Sequence, residues 1–268
     1  MIEIEPYDKN ITCIKTATPM DDGKPIMWAY AYHILDSLID AGCPNANDEL
    51  AKYNAKKPAK NVYLTHAHED HTGGATVFAK TASVYAWGSS INLVKRPPEI
   101  PEFFQFVWGQ PTPLDNVQIL PRNFEIGDFT FEVVDLPGHF ADMVGFLEPE
   151  RKWLFSADAV PLPSRKFLAM PEENIPRMIT TMEYIQTMGV EILFDGHRGP
   201  VMSPYDYIQK RIDYLKEMIV KVRDLHEEGL NQQQMMDRLE LTPPWYVGMT
   251  QERFAVEHFI RSIINDSP

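Results

Sequence analysis

The apolar positions in the first two-thirds of the chain fall in short runs that are rich in β-branched and aromatic residues. Several of these runs are bounded by Gly, Pro or Asp, a pattern that is typical of strands separated by turns and loops. The predicted strands are Trp28–Leu35, Ser37–Asp40, Val62–Thr65, Ser83–Trp87, Phe129–Asp135, Trp153–Ser156 and Ile192–Asp195. This part of the chain therefore predicts a core built from β-sheet.

The last third of the chain changes to apolar residues spaced three or four positions apart, which predicts helices. One helix carries its apolar stripe from Ile175 to Ile185. A second is predicted to begin at Ser203-Pro204, because a hydroxyl can cap a helix and proline fits the first turn, and to end at Gly229. Two shorter helices are predicted from about Asn231 to Leu239 and from about Thr250 to Ile264.

The composition of the 268 residues narrows the class of protein. Hydrophobic residues make up 44% and charged residues 24%, both close to globular averages, which excludes wholesale disorder. The longest apolar runs are too short to span a bilayer. The net charge of −13 disfavours nucleic acid and anionic membranes as main partners. Two cysteines, Cys13 and Cys43, and an acidic N-terminus broken by Pro6 predict a cytoplasmic protein without a disulfide framework.

Four candidate metal ligands lie within six residues, directly after the predicted strand Val62–Thr65: His66, His68, Asp70 and His71. A single histidine is more often a packed residue than a ligand. Three histidines and an aspartate at this density differ, because one metal ion satisfies donors that would otherwise each need a separate hydrogen bond. If the pleat of the strand continues, His66 and His68 point to the same side and can share an ion. Asp70 and His71, in the following turn, can then reach a second ion.

Three further candidates each follow a predicted strand: His139, Asp158 and His197. Taken alone, a histidine after Pro-Gly is typical of a turn, and an aspartate after a strand is typical of a helix cap. Taken together, the set contains five histidines and two aspartates, which is enough for two ions with room for water. An open coordination position distinguishes a catalytic metal site from a structural one.

The residues around these candidates carry weaker expectations. Gly73 and Gly74 predict a tight turn into a helix. Glu69 is expected to point away from the site, and Asp195 is a candidate hydrogen-bond acceptor for His197. The remaining histidines are interpreted as a packed residue at His33, a helix-surface residue at His226, and either of these at His258.

The order of these donors resembles that of the metallo-β-lactamase superfamily. The motif is His66-x-His68-x-Asp70-His71, followed by His139, Asp158 and His197. The resemblance extends from Asp40, whose segment is similar to the early Leu-Ile-Asp-x-Gly of the family, to about His197. It implies an α/β fold, an αββα sandwich with metals at one edge. We expect residues 1–203 to form this core and residues 204–268 to form a helical C-terminal extension packed on it.

The resemblance also implies how the ligands divide between two ions. His66, His68 and His139 would hold the first ion, Asp70, His71 and His197 the second, and Asp158 would bridge both. The lactam-hydrolysing branches often carry other ligands at the two aspartate positions, including a cysteine, so the chain resembles the glyoxalase II-like hydrolases more closely. One departure from many relatives is Phe140, where a small or hydroxyl residue is common.

The predicted function is a dinuclear metal-dependent hydrolase of a small-molecule ester, thioester, lactone or phosphoester. Two dications about 3.5–4 Å apart share a bridging water and lower its pKa toward about 7, so that the resulting hydroxide attacks the substrate. Asp70 is the candidate catalytic residue that orients this nucleophile. Zinc is the first expectation for both ions, and iron and manganese also suit a thiolate-free set of nitrogen and oxygen ligands.

Two other functions remain open from the sequence. One is an iron-dependent oxygenase or oxidoreductase on the same scaffold, and the other is a binding or regulatory protein that kept its metals. Flavodiiron proteins are disfavoured, because they resemble a pattern with Glu where His68 stands and need an added flavin domain. A nuclease is disfavoured by the acidic charge.

Two proline-bearing segments, residues 96–109 and 160–171, combine loop-like sequence with many large apolar side chains. Such segments are typical of lids, interfaces or binding walls, so we expect a substrate pocket or a homodimer contact here. Pro243–Tyr246 has the same character. An apolar lid favours a substrate with a hydrophobic arm, whereas Arg165 and Lys166 could meet a carboxylate or phosphate.

Overall fold

Two β-sheets form the centre of the protein in the computed structural model, which describes residues 1–265. The first sheet has the order β1-β2-β3-β4-β5-β6-β7, antiparallel as far as β4 and parallel from β4 to β7. Its strands are β1 (Ile2–Pro6), β2 (Ile11–Thr16), β3 (Ala29–Ile34), β4 (Ser37–Ile39), β5 (Asn61–Tyr63), β6 (Ser83–Ala86) and β7 (Val117–Ile119). The parallel half places the ends of β4 and β5 side by side, where the donor motif begins.

The second sheet has the order β13-β12-β11-β10-β9-β8, with β11 and β12 as its parallel pair. Its strands are β8 (Asn123–Ile126), β9 (Phe129–Asp135), β10 (Val144–Glu148), β11 (Trp153–Ala157), β12 (Ile192–Asp195) and β13 (Gly199–Met202). Aromatic side chains fill the space between the two sheets, and the stacked rings of Phe155 and Phe194 have centroids 4.3 Å apart. The two sheets therefore pack face to face.

Strand β3 shows how the sequence specifies both faces of the first sheet. Tyr30 and Tyr32 pack in the aromatic layer between the sheets, whereas Ala29 and Ala31 face the helices. The next residue on the helix face is His33, whose Nδ1 lies 2.9 Å from the hydroxyl of Tyr53. His33 is thus a packed histidine, as predicted. The small residues allow helices to approach the sheet closely, and the large residues fill the gap between sheets.

Helices cover the outer faces of both sheets. Those on the first sheet are α1 (Asn47–Lys56), α2 (Glu69–Thr72), α3 (Ala75–Phe78), α4 (Ser90–Lys95) and α5 (Glu102–Val107). Those associated with the second are α6 (Ile175–Thr187), α7 (Tyr205–Glu227), α8 (Gln232–Arg238) and α9 (Val256–Ile264). This arrangement is the αββα sandwich, so the predicted fold class is confirmed. The division at residue 203 stays a prediction, since α7 and α9 pack directly against α6.

Several predicted boundaries were wrong for local reasons. Ser203 has a positive φ of 48°, and its side chain does not cap α7. The last helix begins at Val256 rather than near Thr250, because Gln251 and Glu252 adopt left-handed conformations that a helix cannot contain. By contrast, Asn231 is the N-cap of α8, as its predicted start near this residue requires, and Gln234 completes a capping box with it.

No helix within residues 1–265 is both long enough and apolar enough to cross a lipid bilayer.

Candidate metal centre

The seven predicted donors come from strand ends in both sheets and meet at one edge of the sandwich. Three close groups of ligand atoms form there, each with all atoms within 4.8 Å of one another: His66, His68 and His139; Asp70, His71 and His197; and His66, His71 and Asp158. Five of the donors are buried, and His197 and Asp158 are partly buried. The structure thus brings all seven side chains together at this edge.

Asp158 lies between the two groups. Its Oδ2 atom is 3.4 Å from Nε2 of His139 and 3.1 Å from Nε2 of His197. Its Oδ1 atom is 3.3 Å from Nε2 of His71. One carboxylate therefore faces histidines of both groups, as a bridging ligand must.

Each histidine has one ring nitrogen occupied by an outer hydrogen-bond partner. The outer contacts are His139 Nδ1 to Glu173 Oε1 at 2.7 Å, His68 Nε2 to Glu172 Oε1 at 3.2 Å, His71 Nδ1 to Asp40 Oδ2 at 2.9 Å, His197 Nδ1 to the carbonyl of Trp28 at 2.8 Å, and His66 Nδ1 to Thr65 Oγ1 at 3.0 Å. An N–H that donates outward leaves the lone pair of the other nitrogen directed inward. In all five rings, the other nitrogen is therefore directed toward the shared space between the donors.

The inward atoms have few other partners. Nδ1 of His68 lies 3.1 Å from Nε2 of His66 and 2.8 Å from Nε2 of His139. With the protons on the outward nitrogens, lone pairs face one another across these distances. Nε2 of His71 and Oδ1 of Asp158 are buried without a hydrogen-bond partner. A cation among these atoms would remove the repulsion and satisfy the orphaned groups. The donor set therefore fits bound metal ions.

The pKa shifts at the site also indicate that its carboxylates favour a bound cation. Burial raises the pKa of Asp158, but His197 and His71 outweigh this and hold it well below its usual value. Burial lowers the pKa of His197, yet the carboxylates of Asp158 and Asp70 raise it overall to about 9. The pKa of His66 falls well below its usual value because it is buried among other histidines. The carboxylates thus attract cations, and His66 remains a neutral donor.

Sequence reasoning missed the groups that hold the donors in place, of which Asp40 is one. Its carboxylate accepts hydrogen bonds from the amide and hydroxyl of Thr65 and contacts Nδ1 of His71. Because the hydroxyl of Thr65 donates to Asp40, it accepts from His66. Asp40 was noted only as part of a family segment, and its position directly after a buried strand was the available signal.

Glu173 was also missed, and it forms a second support. It is buried and contacts both His139 and Arg165, whose Nη1 lies 2.8 Å from Oε1. Burial raises the pKa of Glu173, but Arg165 and His139 lower it to about 2, so that it stays ionised. The sequence carries no local signal for this role, because Glu173 lies 34 residues from His139.

The structure adds detail to three expectations near the motif. Glu69 is buried, and its carboxylate is directed to Arg253, with Oε2 3.0 Å from Nη2. Asp195 is a hydrogen-bond acceptor for His197, as expected, but it accepts from the backbone N–H and not from the ring. Gly73 and Gly74 lie between α2 and α3, where the turn into a helix was expected. Their φ values are ordinary and negative, and a Cβ at either position would collide with Pro44 or with the carbonyl of Ala41, so the glycines allow close packing at this turn.

A cavity of about 440 Å³ opens directly onto the donors. Both segments predicted as pocket walls line it. The first contributes residues 103, 104 and 106–108, most of them in helix α5 rather than in a loop, and the second contributes several residues after Asp158. Trp245 and Tyr246 also contribute. Of the two basic residues proposed to meet an anion, Arg165 reaches the wall but is paired with Glu173. The donor edge thus faces a chamber of the size that binds small molecules.

Comparison with known proteins places this arrangement in a family. Residues 37–212 match the family model described as the metallo-beta-lactamase superfamily, which covers well over half of the chain. The chain belongs to the metallo-beta-lactamase superfamily. The resemblance predicted from the donor order is therefore confirmed.

Two curated members of the superfamily have similar sequences. Hydroxyacylglutathione hydrolase GloC of Haemophilus influenzae is 31% identical over 110 residues, covering 38% of this chain and 50% of the relative. Atrochrysone carboxyl ACP thioesterase of Aspergillus fumigatus is 26% identical over 180 residues, covering 66% of this chain and 51% of the relative. The chain therefore spans about half the length of these curated relatives. The first supports the predicted likeness to the glyoxalase II-like branch.

Two solved structures of the superfamily share the fold. A metallo-beta-lactamase from Pontibacter korlensis superposes with a TM-score of 0.62 at 18% identity, covering 81% of this chain and 99% of that one. A metallo-beta-lactamase family protein from Thermus thermophilus gives a TM-score of 0.63 at 18% identity, covering 82% and 84%. At this identity the likeness concerns the fold alone.

The predicted departure from other superfamily members lies beside the donors. The ring of Phe140 is 5.4 Å from that of His68 and 6.1 Å from that of His66, measured between centroids. An aromatic ring here shields one side of the first donor group from water. Phe140 thus adds a packing contact at the position after His139.

Proposed function

We propose that this member of the superfamily is a dinuclear metal-dependent hydrolase acting on an ester or thioester of a small molecule. The observation that carries the proposal is the pair of donor groups, with Asp158 between them, at the floor of a chamber of about 440 Å³. When bound in such a site, two divalent ions make a reactive water available near neutral pH and polarise the bond under attack.

The side chains of the chain have separate roles in this proposal. His66, His68 and His139 would hold one ion, Asp70, His71 and His197 the other, and Asp158 both. Asp70 also lines the chamber, with Oδ2 3.6 Å from Nε2 of His71 and 3.5 Å from Nε2 of His197. We assign to its carboxylate the orientation of the attacking water, because it is an acceptor of the second donor group that also lines the chamber.

The comparisons favour sulfur esters among the possible substrates. One relative is named a thioesterase, and the other is named a hydrolase of hydroxyacylglutathione. Lactones and phosphoesters remain in the same reaction class. We propose zinc as the metal, since a set of imidazoles and carboxylates without thiolate suits it, and the same donors accept iron or manganese.

Metal analysis together with a substrate panel tests the proposal. We expect two ions per chain and turnover of at least one ester or thioester, with activity lost to a chelator and restored by added zinc. The panel should also include a lactone and a phosphodiester. Activity that survives complete metal removal would overturn the proposal. So would iron-dependent oxygen consumption without hydrolysis, which an electronic spectrum and an oxygen electrode would detect.

A further inference from the structure

We propose that the substrate carries an uncharged hydrophobic arm and that this chamber discriminates against arms with a free anionic group. That the substrate reacts at an ester or thioester bond depends on the proposed function. By arm we mean the part of the substrate that extends from this bond into the chamber, and the preference for an uncharged arm depends only on the residues of the chamber wall.

Apart from the donors, the lining of the chamber is mostly apolar, and we call it the wall. Most of its side chains come from α5 and the residue after it, from residues 160–170 after β11 and from residues 245–254, which we call the C-terminal segment. They include Phe104, Val107, Trp108, Val160, Leu162 and Phe254. Contact with such a wall favours apolar groups by about 25 cal/mol per Å² removed from water. An arm that fills the chamber is therefore stabilised in proportion to its apolar surface.

The wall does contain two cations, Arg165 and Arg253, but both are already paired. Arg165 is held by the buried Glu173, and Arg253 by the buried Glu69. Apart from the donor histidines, no other cationic side chain lines the chamber within residues 1–265. A substrate carboxylate would have to compete with a buried glutamate for its partner and leave that glutamate unpaired, which is costly. The charge of each guanidinium is therefore opposed by a carboxylate, and its Nε atom, which has no hydrogen-bond partner, is buried rather than presented to the chamber.

Both arginines are also fixed against phenylalanines of the same wall. The guanidinium of Arg165 lies 4.7 Å from the ring centroid of Phe254, and that of Arg253 lies 5.0 Å from that of Phe104. Each guanidinium is thus held between a carboxylate and an aromatic face. Both guanidinium groups are therefore held in place by the wall, and neither is directed toward a ligand as a free charge.

Several of the large apolar side chains that line the chamber are exposed to solvent. Trp245 is 84% exposed, and Phe106, Met249 and Ile26 are each about half exposed, yet all four line the same space. Single exposed apolar residues are normal on a protein surface, but several around one opening mark a binding surface. We infer that the hydrophobic arm extends far enough to cover them.

A matched pair of neutral and anionic probes tests the selection without depending on turnover. Octanamide and the same amide with a terminal sulfonate, which is a poor metal ligand, are titrated into the metal-loaded protein by calorimetry. We expect octanamide to bind at least about tenfold more tightly, because burying an unpaired charge costs more than the apolar contact gains. Equal binding, tighter binding of the sulfonate, or no binding of octanamide would overturn the inference.

Two variants add detail to the result. Phe106→Ser should weaken octanamide binding several-fold, whereas Ile119→Ser, at an exposed apolar residue of β7 outside the chamber, should not change it. Glu69→Gln frees Arg253, so the preference for the neutral probe should narrow. If Glu69→Gln does not fold, the titrations of octanamide and of its sulfonate into the wild-type protein still test the inference.

Turnover is measured separately, with acetyl and octanoyl thioesters of N-acetylcysteamine. Selective binding without turnover of either thioester would count against the proposed function and leave the inference standing. Turnover of both thioesters with equal specificity constants would count against the inference and leave the hydrolase standing.

Discussion

The floor and the wall of the chamber are built in opposite ways. The floor consists of charged and polar donors that follow strands of both sheets, and each histidine is fixed by an outer acceptor. The wall consists of apolar side chains from a short helix, from the segment after β11 and from the C-terminal segment. Under the proposed function, this contrast assigns the reaction type to the sheet scaffold and the choice of substrate to segments outside the strands. Substitutions in the wall should therefore leave metal binding unchanged, and substitutions among the donors should leave the preference for apolar ligands unchanged.

The largest expected effect comes from Asp158→Ala, which removes the side chain facing both donor groups. We expect loss of at least one ion per chain and a fall in turnover of about a thousandfold or more, since several kcal/mol of charge stabilisation are lost. Metal content and kinetics are measured on the same sample. Asp115→Ala, at an exposed aspartate, is the control. Two retained ions with full turnover would show that Asp158 does not bridge.

A smaller effect is expected from Glu173→Gln, which weakens the support of His139 without removing a donor. Loss of an outer hydrogen-bond partner of this kind reduces metal affinity or activity by about 10–100-fold. Competition with a chromogenic chelator measures the affinity, and Glu191→Gln on the surface is the matched control. An unchanged metal affinity would mean that Glu173 serves only to pair with Arg165.

Trp245→Ala tests the wall in isolation from the floor. Because this ring is exposed, the variant should fold normally and keep its metal. We expect KM for a long-chain thioester to rise by up to about tenfold with little change in kcat, since the lost contact is uniform apolar binding. The acetyl thioester serves as the internal comparison. A fall in kcat for both thioesters would show that the wall also affects the reaction.

The smallest effect concerns stability rather than the site. Burial, together with the charge of Lys57, lowers the pKa of His33 to about 4, although Asp36 opposes the shift. Because the unfolded chain takes up this proton near pH 6.5, folding stability should fall as the pH drops from there toward 4. The loss between pH 6.5 and about 5.5 is about 1 kcal/mol. His33→Gln should remove it in urea titrations, whereas His226→Gln, on the exposed face of α7, should not.

The donors could be predicted from the sequence because their chemistry is local. His66, His68, Asp70 and His71 stand within six residues, and the other three each follow a recognisable strand. Strands β9 and β12 were predicted because their buried residues are large and apolar. Edge strand β1 was missed, since its alternating Ile and Glu residues are mostly exposed and it ends at Pro6.

The supports of the donors could not be predicted, because they depend on contacts between distant residues. Glu69 and Arg253 are 184 residues apart. Nothing near Glu69 in the sequence indicates the partner that allows this glutamate to be buried. The need for Gly73 is similarly hidden, since the residue it avoids is Pro44. Sequence patterns specify which residues can bind a metal, whereas the close approach of other elements decides what holds them.

The pair of Glu69 and Arg253 has a practical consequence for anyone shortening or recombining this chain. Arg253 belongs to the C-terminal segment, yet its partner is next to Asp70 in the donor motif. Deleting that segment would leave a buried carboxylate without its counter-ion beside the donor groups. The C-terminal segment and the motif should therefore be exchanged between homologues as one unit, because a shortened chain would lack part of what holds the donor motif.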